Sequence, residues 1–226
     1  VSRKGVVPAE STLDCVGPLA PSATGLIEAM SCIDETFLPI TTDRPIKLAL
    51  VEVNAESEIN LLIAQALKKD FIQLSATTLP SLGDAFDAAL KLMNFEMRGA
   101  FGHLLNTGKL GSDIEDRLQA AGNITSEIVS EAEMLRQYFS QQVDDALNVV
   151  DALVLPTLAS FPLKRVEALG GKNDLNISSL TRPFNLSGHP AITIPLPNKL
   201  GKPVAMQLVG AKGNDELICE IAKRLS

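Results

Sequence analysis

Between Pro45 and Asn54 runs Ile-Lys-Leu-Ala-Leu-Val-Glu-Val, a stretch whose length and apolar content suit a strand buried inside a sheet. The residues after it restrict the fold. Ile59, Leu62, Ile63, Ala66 and Leu67 recur at the three-and-four spacing of one buried helix face, which predicts a helix over 57–69. A second strand is expected over 71–78, stopped by Pro80. A helix placed between two strands carries the chain back across the sheet, so the two strands should lie parallel.

The rest of the chain repeats the alternation. An irregular lead-in broken by Gly5, Pro8, Gly17, Pro18 and Pro21 precedes a short amphipathic helix over 23–33, marked by Ile27, Met30 and Ile33. Residues 82–148 read as mostly helical. One stripe holds Phe86, Ala89, Leu90 and Met93, another Ile128, Ala132, Leu135, Tyr138 and Phe139, with a polar loop expected between them over 107–125. A strand over 151–157 ends at Pro156-Thr157 and leads into a loop rich in Gly, Lys and Asn over 159–179. Two strands over 191–196 and 203–209 flank a turn, and Ile192, Ile194 and Leu196 alternate with Thr193 and Pro195 to leave one apolar face. The last helix, 215–225, has Asn214 as its expected N-cap, acids in its first turn and Lys223 and Arg224 in its last. These elements predict an α/β fold, a mixed sheet covered by helices, divided into a lead-in (1–45), a strand-helix-strand and helical region (46–150) and closing strands with a terminal helix (151–226).

Charge and cysteine usage narrow the function. The 226 residues carry a net charge of −7, with no basic excess to replace the counterions of a nucleic-acid backbone, so no nucleic-acid partner is expected. Cys15, Cys32 and Cys219 are odd in number, have no CxxC spacing and sit among apolar neighbours, which points to small core hydrophobes in a reducing compartment. No long apolar run suggests a membrane span, and the first ten residues lack a signal-peptide layout, so a soluble, cytoplasmic protein is expected.

Candidate chemistry is sparse. The two histidines are His103, expected to be structural, and His189. The run Asn185-Leu-Ser-Gly-His-Pro190 lacks the first glycine of a G-x-S-x-G elbow; an esterase built on Ser187 and His189 remains a minor alternative. No phosphate-cradling glycine motif and no clustered metal ligands occur, so neither a cofactor nor a metal is expected. The acids Asp113, Glu115, Asp116, Asp144 and Asp145 read as solvated surface charge.

Three runs in register supply a stronger signal. Val1-Ser-Arg-Lys-Gly5-Val-Val-Pro8 with Ser11-Thr-Leu-Asp14-Cys-Val-Gly17-Pro18-Leu-Ala20 opens the chain, and Asp151-Ala-Leu-Val-Leu-Pro156-Thr157 lies in its last third. Thr181-Arg-Pro-Phe-Asn185-Leu-Ser-Gly188-His-Pro190-Ala-Ile-Thr-Ile-Pro195 comes next, with Pro203-Val-Ala-Met-Gln207-Leu-Val-Gly210 behind it. Together they resemble the amidase-signature family downstream of its serine- and glycine-rich signature, over essentially the whole chain.

The resemblance implies amide C–N hydrolysis by a full-length parent using a Ser–cis-Ser–Lys triad, all of which would lie upstream of Val1. It therefore assigns no catalytic residue here and implies that this chain alone is inactive. It implies substrate contacts instead: Arg117, in Asp116-Arg-Leu-Gln-Ala-Ala-Gly122, resembles an arginine that in some members faces a substrate carboxylate, while Thr181 and Asn185 sit in the closing motif. A helix-surface role for Arg117, and loop bracing by Thr181 and Asn185, are the plainer readings. Ser178 and Ser179 stand where amino-acid-recognising members carry an aspartate, which disfavours a glutamine-dependent transfer-RNA amidotransferase. The implied partners are a small-molecule amide and either an N-terminal half or a second copy of the chain; the alternative is a non-catalytic assembly module that keeps the scaffold.

Overall fold

The computed structural model describes residues 1–172 and 176–226. Its centre is a five-stranded sheet in the order β2-β1-β3-β5-β4. The strands are β1 (Ile46–Val51), β2 (Ile72–Thr77), β3 (Ala152–Pro156), β4 (Ala191–Pro195) and β5 (Ala205–Val209). β1 runs parallel to both β2 and β3, whereas β5 is antiparallel to β3 and to β4, so the sheet is mixed as expected. The parallel β1–β2 pair arises because α2 (Ser57–Ala66) carries the chain between them, burying Ile59 and Ile63.

Helices cover both faces. Against one pack α1 (Ala23–Ile33), α2 and α8 (Asp215–Leu225), which enclose Ile46, Leu48, Val154, Ile192, Ile194, Met206 and Leu208. Against the other pack α3 (Leu82–Phe101), α5 (Ser126–Leu147) and the short α7 (Arg182–Ser187), around Ala49, Val51, Leu153, Leu155 and Val209. Every residue of β3 is therefore buried, which explains why its sequence is a continuous apolar run rather than an alternation. Polar closure completes the core: Asp151 accepts from both terminal nitrogens of Arg44, at 2.8 and 2.6 Å, and from the Lys47 amide at 2.8 Å, pinning the start of β3 to that of β1. The Arg44 hydrogen bonds hold the Asp151 carboxyl below its ordinary range.

Several expectations are corrected. The stretch 107–125 is no loop, because α4 (Ser112–Ala120) fills it and buries Leu118. Likewise α6 (Arg165–Leu169) occupies part of the expected loop 159–179, of which 173–175 lie outside the described residues. Along α5 the buried positions are Ala132, Phe139, Val143 and Leu147, while Tyr138 is 60% exposed, so the apolar stripe is rotated toward the helix C-terminus. Cys15 and Cys32 are exposed and only Cys219 is buried. His103 is exposed in a 3-10 turn, and Asn214 makes no side-chain capping bond.

Candidate functional site

α7 carries a group of polar side chains at each of its ends. The helix is six residues long. Pro183 fixes its first turn, and Gly188 ends it at φ 73°, a left-handed conformation that turns the chain into β4. Its first residue, Arg182, lies across Phe86 of α3 with the guanidinium carbon 4.3 Å from the ring centroid. The Nη1 of Arg182 is buried without a hydrogen-bond partner. Burial lowers the pKa of this guanidinium, the charge of Arg117 lowers it further, and Asp87 pulls the other way. Arg182 of α7 and Arg117 of α4 both rest on α3, and the charge of one disfavours that of the other.

Arg117 projects from α4 and donates from Nε to Asn94 Oδ1 at 2.8 Å, with Nη2 3.9 Å from Met93 Sδ. Arg98 secures the same corner by donating to Leu118 O at 3.0 Å. Thr181, just before α7, donates its hydroxyl to Ser178 O at 3.4 Å. Asn185 is turned elsewhere: its amide donates to Leu13 O at 3.2 Å and ties α7 to the N-terminal segment. The structure therefore brings Thr181 and Arg117 to the Arg182 end of α7 and leaves Asn185 on the side facing the lead-in.

The far end of α7 holds the second group. His189 Nδ1 is 2.9 Å from Ser187 Oγ, and its Nε2 is 3.0 Å from Asp144 Oδ1 on α5. A carboxylate only accepts, so Nε2 carries the proton and Nδ1 accepts from the serine hydroxyl. Desolvation lowers the His189 pKa, and Lys212 adds to it while Asp144 opposes, so the ring is neutral near pH 7. Lys212 in turn reaches Ser140 Oγ at 2.5 Å and Asp144 Oδ2 at 3.6 Å. Asp144, expected to be a free surface acid, is the hinge of this network.

Serine, histidine and aspartate in a row invite comparison with a hydrolytic triad, but accessibility runs the wrong way. Ser187 is 5% exposed, whereas the Asp144 side chain, which a triad would shelter, is 40% exposed. The neighbouring Gly188 N–H, a candidate oxyanion donor, is already engaged with Phe184 O at 2.9 Å. The arrangement can lock α5 to the α7–β4 corner but is not set up to attack a carbonyl. Arg136 strengthens the same lock, donating to Leu186 O at 2.8 Å and to Thr12 O at 3.1 Å. Among the described residues no group of His, Cys, Asp and Glu could hold a metal ion.

Sequence reasoning missed Arg182, the Asp144–His189 pair and Arg136. Pro183 and Gly188 bracket α7 with ordinary start and stop signals, and reading them together would have exposed the helix and its leading arginine. The Asp144–His189 pair spans 45 positions and leaves no local trace.

Comparison with known proteins agrees with this architecture. The family model described as Amidase matches residues 102–219, just over half of the chain. A glutamyl-tRNA(Gln) amidotransferase subunit from Picosynechococcus sp. is 24% identical over 98% of this chain and 57% of its own length. The corresponding protein from Dehalococcoides mccartyi is 34% identical over 40% of this chain and 19% of its own. Among solved structures, an amidase superposes with a TM-score of 0.80 at 20% identity, covering 92% of this chain and 51% of the other. A bacterial aryl acylamidase of the amidase-signature enzymes gives a TM-score of 0.75 at 18% identity, over 92% and 52%. The chain thus spans about half the length of the structures whose fold it shares. With its mixed sheet, its closing motif on α7 and β4, and the family match across α4 to α8, the chain belongs to the amidase family.

Proposed function

We propose that these residues form the C-terminal share of an amide C–N hydrolase, building scaffold and one wall of its substrate pocket, while the nucleophilic serine and its proton relay come from polypeptide outside them. The observation that carries this reading is the sheltered Ser187. This serine, aligned with a histidine and an acid, is buried at 5% exposure and has no free oxyanion donor at Gly188 beside it. The match to about half of an amidase chain supports the same division of labour.

The wall is built where α4 and α7 both rest on α3, with Arg117 and Thr181 facing substrate and Asn185 holding the wall against the lead-in. A buried guanidinium nitrogen without an acceptor, next to a second guanidinium, favours a substrate carrying a carboxylate, which would satisfy Arg182 Nη1 and screen Arg117 at once. The test is ammonia release from a carboxylate-bearing amide and from a neutral one. The chain alone should release none from either. Joined to the polypeptide that supplies the serine, it should prefer the charged amide, and Arg117→Gln should raise KM for that substrate at least tenfold. Turnover by the chain alone contradicts the proposal.

A further inference from the structure

Where β3 ends and the β4–β5 hairpin turns over, the chain encloses a cavity of about 290 Å³. Ile59 from the first turn of α2, Leu158 from the loop after β3, and Leu196 and Val204 from the hairpin line it. Ile59, Leu196 and Val204 belong to the core beneath α1, α2 and α8. Arg117 and Arg182 rest instead on α3, which packs against the opposite face of the sheet, and neither reaches the cavity. Close-packed interiors leave few voids larger than a water molecule, and an apolar void of about 150 Å³ already holds a benzene ring. The space here suits one ring with a short substituent.

The walls are tied in place, which keeps the space from closing by relaxation. On the loop side Glu56 grips the main chain twice: its amide donates to Ala159 O and its Oε1 accepts from the Phe161 amide, each at 2.9 Å. On the hairpin side the Leu196 amide donates to Val204 O at 2.8 Å, and Asn198 Nδ2 donates to Leu196 O and to Lys202 O at 3.1 Å. Lys202 of the hairpin lies over the Phe161 ring of the loop, 4.0 Å from its centroid, and so links the two walls. Pro162, Pro195 and Pro203 stiffen the same segments.

The lining also sets the chemistry. It contains no charged side chain, and the charges nearby are committed, Glu56 to the Phe161 amide and Lys202 to the Phe161 ring. Among the polar lining residues, Asn198 is committed through Nδ2 and accepts from the Leu200 amide at 3.0 Å, while the Thr157 hydroxyl lies 3.5 Å from that of Thr193. Ser160 is left: among the described residues its hydroxyl has no hydrogen-bond partner, and it can both donate and accept.

We propose that this cavity is a binding site for a small neutral molecule made of one ring and a single hydroxyl or amide group. The ring fills the apolar space between Ile59, Leu158, Leu196 and Val204, and the polar group pairs with Ser160. A charged molecule of the same size is rejected, because it would give up its hydration to a lining that offers no counter-charge. The site is separate from the arginine wall and does not rest on the half-site reading above.

The test is an NMR titration of the full chain with four probes that share one ring: benzyl alcohol, toluene, benzoate and benzylamine. Benzyl alcohol should bind saturably at one site, with nuclear Overhauser contacts from its ring protons to the methyl groups of Ile59, Leu196 and Val204. Benzoate and benzylamine, both charged at pH 7, should bind roughly tenfold more weakly or not at all. Ser160→Ala should weaken benzyl alcohol by roughly threefold or more and leave toluene unchanged, a split that general loosening of the loop would not produce. Shifts that do not saturate, ring contacts to other methyl groups, or equal binding of the charged probes overturns the site. Equal effects of Ser160→Ala on benzyl alcohol and toluene overturns the pairing of the polar group with Ser160.

Discussion

Arg182 is half-buried with little to satisfy its charge. Its Nη1 is buried without an acceptor and its charge is disfavoured by that of Arg117, so the folded chain gains little from it beyond the stack on Phe86. Arg182→Met should leave the urea midpoint unchanged or raise stability by about 1 kcal/mol. Arg117→Met, which breaks the bond to Asn94, should lower it. Equal losses from both would assign Arg182 a purely structural role. His189 gives a pH signature. Its folded pKa is depressed below the ordinary 6.5, so below that pH the unfolded state takes up a proton that the folded state resists. Stability is complete above about pH 6.5 and falls as the pH drops toward the folded value, by at most about 1.4 kcal/mol per pH unit. His189→Gln should flatten denaturation midpoints between pH 7.5 and 5.5, whereas the loss of Asp151 ionisation appears only below pH 4.

At the scale of elements, legibility followed how local the determinant was. α1, α8 and the chain positions of all five strands could be read because a helix face or a strand run lies within a dozen residues. α4 was concealed by its composition: Ser-Asp-Ile-Glu-Asp-Arg carries a single apolar residue per turn, and Leu118 alone anchors it. The stripe on α5 was misplaced because Tyr138 fits the period, although the surface that the helix meets, α3 and α7, is set by parts of the chain far away in sequence. Arg117, Thr181 and Asn185 were singled out only through the family motif, whereas the burial of Arg182 and the reach of Asp144 to His189 required the assembled fold. The junction between β5 and α8 makes a further prediction. A Cβ on Gly210 would collide with Ile218 Cγ2 in the core, so Gly210→Ala should lose about 1–3 kcal/mol in denaturant titration. An unchanged midpoint would show that α8 can shift away without cost.

The whole molecule is a sheet closed on both faces at its centre and less covered along its edge strands β2 and β4. β1, β3 and β5 lie between two helical layers, while β4 has an uncovered face, a free edge and a groove beside it. The arginine corner and the closing motif lie on the same connected scaffold, and the serine aligned with His189 is buried within it. No described helix is long and apolar enough to cross a membrane. The most direct test is to expose the folded chain to a serine-directed fluorophosphonate and map any adduct by peptide mass spectrometry. No serine of this chain should be labelled, and once the two halves are combined the label should appear only on the other one. A stoichiometric adduct on Ser187, or on any other serine of these residues, contradicts a nucleophile supplied from outside them.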